Sequence, residues 1–373
     1  MNKRIRLTDP TIGKNEWNAV KEVLQTKHLH RGEKTKLFEQ MAAAKFGATY
    51  GIALSNGTGA LCTSLLALGV TKGDEVITSP FTFIATANAI LMCGATPVFV
   101  DIDPLTFTID PSRIEEKITP KTKAILTVDL YGQPADYQKI RALAKKHHLV
   151  IVADSCQAIG AQYNNRPLTQ FADAVVLSFY ISKNITSGEG GMVLTNNKNV
   201  ATKVNNLINH GQVRGKKYIF TSFGYNYRIT DLQSALLLSQ LQRIEHITMA
   251  RQQNAHLLSS KLAGIVGIQT PFIFPNATHV FNRYTILVKK QFGQTRDYLH
   301  NILLATYGIE TEIAYPKPLH TYHHIKSLGY HIGDFKEAEQ AAKEVLSLPI
   351  HQQLHIKDIN SIASAIRGIS KQK

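Results

Sequence analysis

The chain has 373 residues, too many for one small core, so two domains sharing an interface are expected. Its composition is ordinary for a globular protein (44% hydrophobic, 18% charged), with no apolar run long enough to span a bilayer and no apolar stretch behind Met1. A soluble, cytoplasmic protein without a signal peptide is therefore expected, not a membrane or secreted one. The 42 basic and 27 acidic residues leave a net charge of +15, but the basic residues are scattered in pairs such as Lys145-Lys146, Lys216-Lys217 and Lys289-Lys290. With no basic tail and no nucleic-acid module, the excess reads as a solvated surface that would also suit a phosphorylated ligand.

From residue 50 to 196, short apolar runs alternate with helical patterns. Strands are expected over Tyr50–Ser55, Glu75–Ser79, Thr96–Ile102, Lys123–Leu130, Val150–Ser155, Asp173–Tyr180 and Gly191–Thr195. Most of these runs are continuously apolar, which suits strands covered on both faces. Leu61, Leu65 and Leu68, and then Ile140, Leu143, Ala144 and His147, keep helical spacing between them. The alternation predicts an α/β domain with a mainly parallel sheet, whose ligands bind at the strand carboxyl ends. Beyond Asn226 the pattern changes. Residues 230–263 read as a long helix bent near His246, Gly264–Pro275 as a connector, and His279–Val288 as a strand. Gln294–Tyr307, Phe335–Leu346 and Ile356–Ile369 read as helices. This gives a large domain over 1–245 and a smaller α+β domain over 246–373, with the N-terminal segment free to pack on the latter.

Three local features carry chemistry. Asn56-Gly-Thr-Gly-Ala60 follows a strand and opens a helix, where unpaired N–H groups and the helix dipole favour an anion. It is neither a Walker loop nor a dinucleotide fingerprint. Asp154 ends a buried strand, where it would either face a ligand or cap the next helix, and Gln157 follows three residues later. Lys183 follows Ser178 by five residues, between two buried-type strands; a partly desolvated lysine has a lowered pKa and can form a Schiff base. A phosphate cradle at Thr58 and Gly59, an acid at Asp154 and an amine at Lys183 are the three things that pyridoxal phosphate (PLP) requires. Cys62, Cys93 and Cys156 have neither metal nor redox spacing and read as buried free thiols in a reducing compartment. The neighbours His147 and His148 do not make a helix-face metal pair, so no metal site is expected.

These features sit within longer stretches: Leu54-Ser-Asn-Gly-Thr-Gly-Ala-Leu61, Pro80-Phe-Thr-Phe-Ile-Ala-Thr-Ala87, Gly94-Ala-Thr-Pro-Val-Phe-Val-Asp-Ile-Asp103, Ala153-Asp-Ser-Cys-Gln-Ala158, Ser178-Phe-Tyr-Ile-Ser-Lys-Asn184, Gly188-Glu-Gly-Gly191 and Gly224-Tyr-Asn-Tyr-Arg228. Jointly they resemble the DegT/DnrJ/EryC1/StrS family of sugar aminotransferases across essentially the whole chain. The resemblance implies a fold type I (aspartate aminotransferase-like) PLP-transferase, with a mostly parallel seven-stranded sheet. Lys183 would hold PLP and move the proton, and Asp154 would keep the ring nitrogen protonated. Gln157 would contact the ring hydroxyl and Phe83 would stack on the ring face. Thr58, Gly59 and Ser178 would hold the phosphate, and Asn226 would reach the partner's phosphate across a homodimer. Glu189, His210, Tyr315 and His320 are implied on the sugar side. Ala158 departs from members that carry a polar residue there.

The implied reaction moves an amino group from glutamate or glutamine to a nucleotide-linked keto-deoxysugar, yielding an amino sugar for a polysaccharide, glycan or glycosylated metabolite. The alternatives are a PLP-dependent sugar dehydratase, in which His replaces the lysine, and a non-catalytic regulatory relative.

Overall fold

Each of the seven apolar runs becomes a strand of one sheet. The computed structural model describes residues 4–213 and 215–371. The strands are β1 (Tyr50–Leu54), β2 (Glu75–Thr78), β3 (Thr96–Phe99), β4 (Thr122–Val128) and β5 (Val150–Asp154). A two-residue hairpin follows, β6 (Gln162–Tyr163) and β7 (Arg166–Pro167), and then come β8 (Ala174–Ser178) and β9 (Gly191–Thr195). The sheet order is β1-β9-β8-β5-β4-β2-β3. Only β9 runs against the rest, because a short loop rather than a helical crossover joins it to β8. With β1, β5 and β8 parallel, their carboxyl ends open on one edge.

The continuous apolar runs have the expected cause. Along β5, Ile151 and Ala153 face one core while Val152 faces the other. The first core packs against α2 (Glu33–Lys45) through Phe38, against α5 (Tyr137–His147) through Ile140, and against α7 (Asp231–Leu241) through Leu237. The second packs against α3 (Gly57–Ala67) through Leu61 and Leu65, against α4 (Ala85–Met92) through Ile90, and against α6 (Lys198–Leu207) through Val204. Each such Leu or Ile contributes about 1.5–3 kcal/mol on full burial. Helix α1 (Lys14–Thr26) lies on α7, tied by the Arg243–Glu16 ion pair. Buried Asp231 caps α2 from another helix: its carboxylate accepts from the N–H groups of Gly32, Lys34 and Thr35 and from the Thr35 hydroxyl, at 2.6–3.1 Å.

The C-terminal part differs in detail from its sequence pattern. The expected long helix is two, α7 and α8 (Ile244–Leu262), parted at Gln242-Arg243 and not at His246. The connector contains a short strand, β10 (Ile268–Gln269). The strand expected from His279 starts only at Tyr284, as β11 (Tyr284–Val288); Phe281, at φ 44°, breaks the run before it. Helix α9 (Arg296–Tyr307) is as expected, and a single turn, α10 (His323–Lys326), follows. The helix expected to reach Leu346 stops early: α11 is Lys336–Glu344, and Val345–Leu348 is β12, paired antiparallel with β11. Tertiary pairing wins there, because Leu346 and Leu348 enter a core while Ser347 meets the Thr285 hydroxyl at 2.9 Å. Helix α12 (Ile356–Ser370) closes this second body. Its core joins Ala255, Leu258 and Leu262 of α8 to Ile286, Leu303 and Ile362, and Ile5 joins it by bridging to Ile309.

Candidate active site

The strand ends surround a cleft of about 830 Å³, roomy for a cofactor and a substrate together. At one end α3 points its N-terminus into it. Asn56 is the N-cap, and its side chain accepts from Gly59 N–H at 2.8 Å. That bond occupies the Gly59 donor, and Gly59 does not line the cleft. A Cβ there would meet the Tyr227 ring at 3.0 Å, so this glycine serves packing. Gly57 and Thr58, which do line the cleft, carry the first N–H groups of the helix. The walls of this cradle are tight: a Cβ on Gly57 would meet Ser178 Cβ at 3.1 Å and Cys156 Sγ at 3.2 Å, and one on Gly191 would meet Asn56 O at 2.4 Å.

Asp154 ends β5, 6% exposed. Its carboxylate accepts from the Thr86 hydroxyl at 2.8 Å and from Cys156 N–H at 3.3 Å. Among the described residues no basic side chain forms an ion pair with it, a costly state for a buried carboxylate unless a cation arrives. Gln157 is spanned from two sides: its side-chain oxygen accepts from Tyr131 N–H, and its amide donates to the Tyr315 hydroxyl, both at 2.9 Å.

Lys183 lies on the β8–β9 loop, partly buried, in the same cleft as Asp154. Burial lowers its pKa, and the Arg283 charge adds to this, against Cys156, Asp154 and Glu312. A lowered pKa raises the fraction of free amine available for attack on a carbonyl. The loop is clamped by the segment that leads into β11. Asn184 donates to Val280 O at 3.0 Å, and Asn282 donates to Ser182 O and to Asn184 Oδ1, both at 3.1 Å.

The remaining expected residues divide. Thr58, Phe83, Gln157, Ser178, Glu189 and Tyr315 all line the cleft with Lys183 and Asp154. Phe83 keeps 57% of its surface open there, with its ring 6.3 Å from that of Tyr315. Asn226 and His210 do not line it; both are exposed on the 209–226 hairpin. His320 departs from its expected place beside the sugar. It is fully buried, 3.1 Å from Glu339, with its ring 4.8 Å from that of Phe335. Its neighbour Leu319 does line the cleft and donates its N–H to Pro80 O at 2.7 Å. Sequence reading missed Thr86, Arg283 and Glu312. Thr82 and Thr86, four apart in an otherwise apolar helix start, were a usable signal, as was a lone arginine leading the apolar run Tyr284–Val288.

Behind Asp154 lies a second carboxylate. Fully buried Asp129 accepts from Ser155 Oγ at 2.5 Å and from Ala135 N–H and the Tyr137 hydroxyl at 2.9 Å; its own N–H donates to Asp154 O at 3.0 Å. Burial pushes its pKa up to about 7, the hydrogen bonds oppose this, and the Asp154 charge adds to it. Between pH 4 and 7 the folded chain therefore holds a proton that the unfolded chain releases. The Asp129 contribution to stability should fall with rising pH across that window by about 1 kcal/mol per unit, opposed below the ordinary histidine range by His279 and His351, whose pKa values burial lowers to about 3 and about 4. Denaturant titrations at several pH values test this; Asp129→Asn should shift the slope of stability with pH in the positive direction by about that amount, and an unchanged slope would contradict the assignment.

A model of the DegT/DnrJ/EryC1/StrS aminotransferase family matches residues 10–367. The chain belongs to that family. It is 42% identical to a pleiotropic regulatory protein of Geobacillus stearothermophilus, over 89% of this chain and 88% of that one. It is 36% identical to the GDP-perosamine synthase of Caulobacter vibrioides over 97% of both. Its fold matches NtdA of Bacillus subtilis, solved with bound pyridoxamine phosphate, with a TM-score of 0.90 and 31% identity over 99% of this chain and 87% of that one. Like other DegT/DnrJ/EryC1/StrS proteins, the chain is an aminotransferase, and its cofactor is PLP. The cleft fits that group: a helix N-terminus and close glycines for a phosphate, a buried carboxylate with no ion-pair partner among the described residues, and an amine of lowered pKa.

Proposed function

We propose that this enzyme transfers an amino group from glutamate or glutamine to a nucleotide-linked keto-deoxysugar, producing an amino sugar for a polysaccharide, glycan or glycosylated metabolite. The observation that carries this reading is the lysine: its amine shares one cleft with a buried, uncompensated carboxylate and a helix N-terminus.

PLP, when bound, supplies an aldehyde for amine exchange and a ring that accepts electrons. Lys183 would hold it covalently, and its amine, once free, would move the proton during the exchange. Asp154 would keep the ring nitrogen protonated, with Thr86 fixing the carboxylate. The N–H groups of Gly57 and Thr58, with Ser178 Oγ, would hold the phosphate; Gln157 would meet the ring hydroxyl and Phe83 would cover a ring face. Glu189 and Tyr315 border the sugar.

The enzyme works in the cytoplasm as a homodimer, with large and small domains meeting near residue 245, a boundary that α8 crosses. Support for the dimer comes from the hairpin carrying His210 and Asn226, where Tyr218, Ile219, Phe220 and Phe223 are 51–71% exposed, an apolar patch suited to a partner subunit. Asn226 reaches the partner's phosphate from there. A dehydratase of this fold would carry His in place of Lys183, and a binding-only regulator has no use for an amine of lowered pKa.

Absorbance of the purified, PLP-loaded protein tests the reading. A cofactor band that moves to shorter wavelength on adding glutamate or glutamine, and returns with one member of a panel of keto sugar nucleotides, is expected. A protein that binds no chromophore after incubation with PLP overturns it.

A further inference from the structure

Arg283 and Glu312, an ion pair in the cleft, have no part in the scheme above. Arg283 stands just before β11, its N–H donating to Tyr131 O at 3.1 Å, and its guanidinium pairs with Glu312. The arginine side chain is 14% exposed and the glutamate 41%, so the buried member of the pair is the cation. Its Nε is buried and has no hydrogen-bond partner among the described residues. Glu312 is held through its backbone, bonded both ways to Ser347, which leaves its carboxylate free to swing toward solvent. A guanidinium offers five N–H donors in a fork that matches a carboxylate. Here part of that fork is unused, and the part in use is bonded to a movable group.

We propose that Arg283 is the carboxylate anchor of the active site, receiving the α-carboxylate of the amino donor as Glu312 yields. The proposal rests on the transaminase reading. Position separates the cleft's cations by task. Asn282, the residue before Arg283, donates to the carbonyl of Ser182, the residue before Lys183, and Arg283 and Glu312 line the cleft with that lysine, so the pair lies close to the reacting centre. An amino acid's α-carboxylate is attached to the very carbon whose amine is exchanged, and must also lie there. The diphosphate of a sugar nucleotide is attached to the anomeric carbon, across the sugar ring from the carbon aminated, and must lie farther out. Lys317 and His324, exposed on the rim of the same cleft, suit that second anion. A carboxylate could also come from the acceptor, if its sugar is a uronate, and the half-reactions distinguish the two sources.

The experiment uses the PLP-loaded enzyme with Arg283→Lys and Arg283→Gln. Arg283→Lys keeps the charge and the Glu312 pair while removing the fork. In single-turnover absorbance with glutamate or glutamine, both variants should raise the half-saturating donor concentration about 10–100-fold, the scale of charge-assisted hydrogen bonds. The return half-reaction, started from the amine form of the cofactor with the keto sugar, should keep its saturation. Titration calorimetry with glutarate, which has the donor's carboxylates and no amine, should show binding to the parent enzyme and a matching loss in the variants. Unchanged donor saturation, or a loss confined to the acceptor half-reaction, overturns the assignment. A parent enzyme that accepts no amine from either donor refutes the transaminase reading instead, and the glutarate titration, which needs no chemistry, still decides the role of Arg283.

Discussion

Replacing Lys183 by alanine is expected to lower amine transfer by about 10,000-fold, since the change removes both the covalent tether and the group that moves the proton. The fold should survive, because the side chain is partly buried and burial already disfavours its charged form. Thermal melting should therefore stay close to the parent value while turnover collapses, and absorbance should report cofactor held by the phosphate cradle alone. A small primary amine added to the alanine variant should restore part of the rate. Arg283 and the Asn184–Asn282 clamp remain in place, so partial rescue would locate the loss at the missing amine. A variant that retains more than about a tenth of the parent turnover would remove Lys183 from the chemistry, given the 100-fold or larger contribution usual for a positioned proton carrier.

The second large effect is expected at Asp154. Changing it to asparagine keeps the size and one acceptor for the Thr86 hydroxyl, but removes the charge that holds a proton on the ring nitrogen. A loss of about 100- to 10,000-fold in turnover is expected, with donor and acceptor saturation little altered. The substitution should also be visible at a distance. The Asp154 charge helps raise the pKa of Asp129, so the asparagine variant should lose part of the Asp129 contribution to the pH dependence of stability between pH 4 and 7. Turnover and stability measured on the same preparation check both. A full retention of rate would exclude Asp154 as the ring partner.

Both residues were legible in the amino-acid order for the same reason. Asp154 and Lys183 follow continuously apolar strands whose direction a parallel sheet makes common, so all such strand ends open on one edge. That also exposed Asn56–Thr58 and Ser178. The opposite wall of the cleft was less legible. Arg283 and Glu312 come from segments next to the small sheet, about 100 and 130 residues beyond Lys183 in the chain, and nothing local in either run reports that they converge. His320 illustrates another limit: in the irregular stretch Tyr315–His320 no periodicity fixes which side chain faces the cleft, and Tyr315 enters it while His320 turns toward Glu339. Val345–Leu348 was misread because a helical stripe and a short strand look alike over four residues until a partner strand is at hand. Gly59 was placed in the right turn, but the N-cap had already claimed its N–H.

The amide clamp between Asn184 and Asn282 has a mechanical outcome. The nucleophile's loop is stitched to the stretch 280–282, far along the chain, so the attitude of the lysine is inherited from how firmly that stretch is seated. Loosening of that stretch alone would misalign the amine while every strand kept its partners. Such a local release would cost catalytic competence with no loss of global shape.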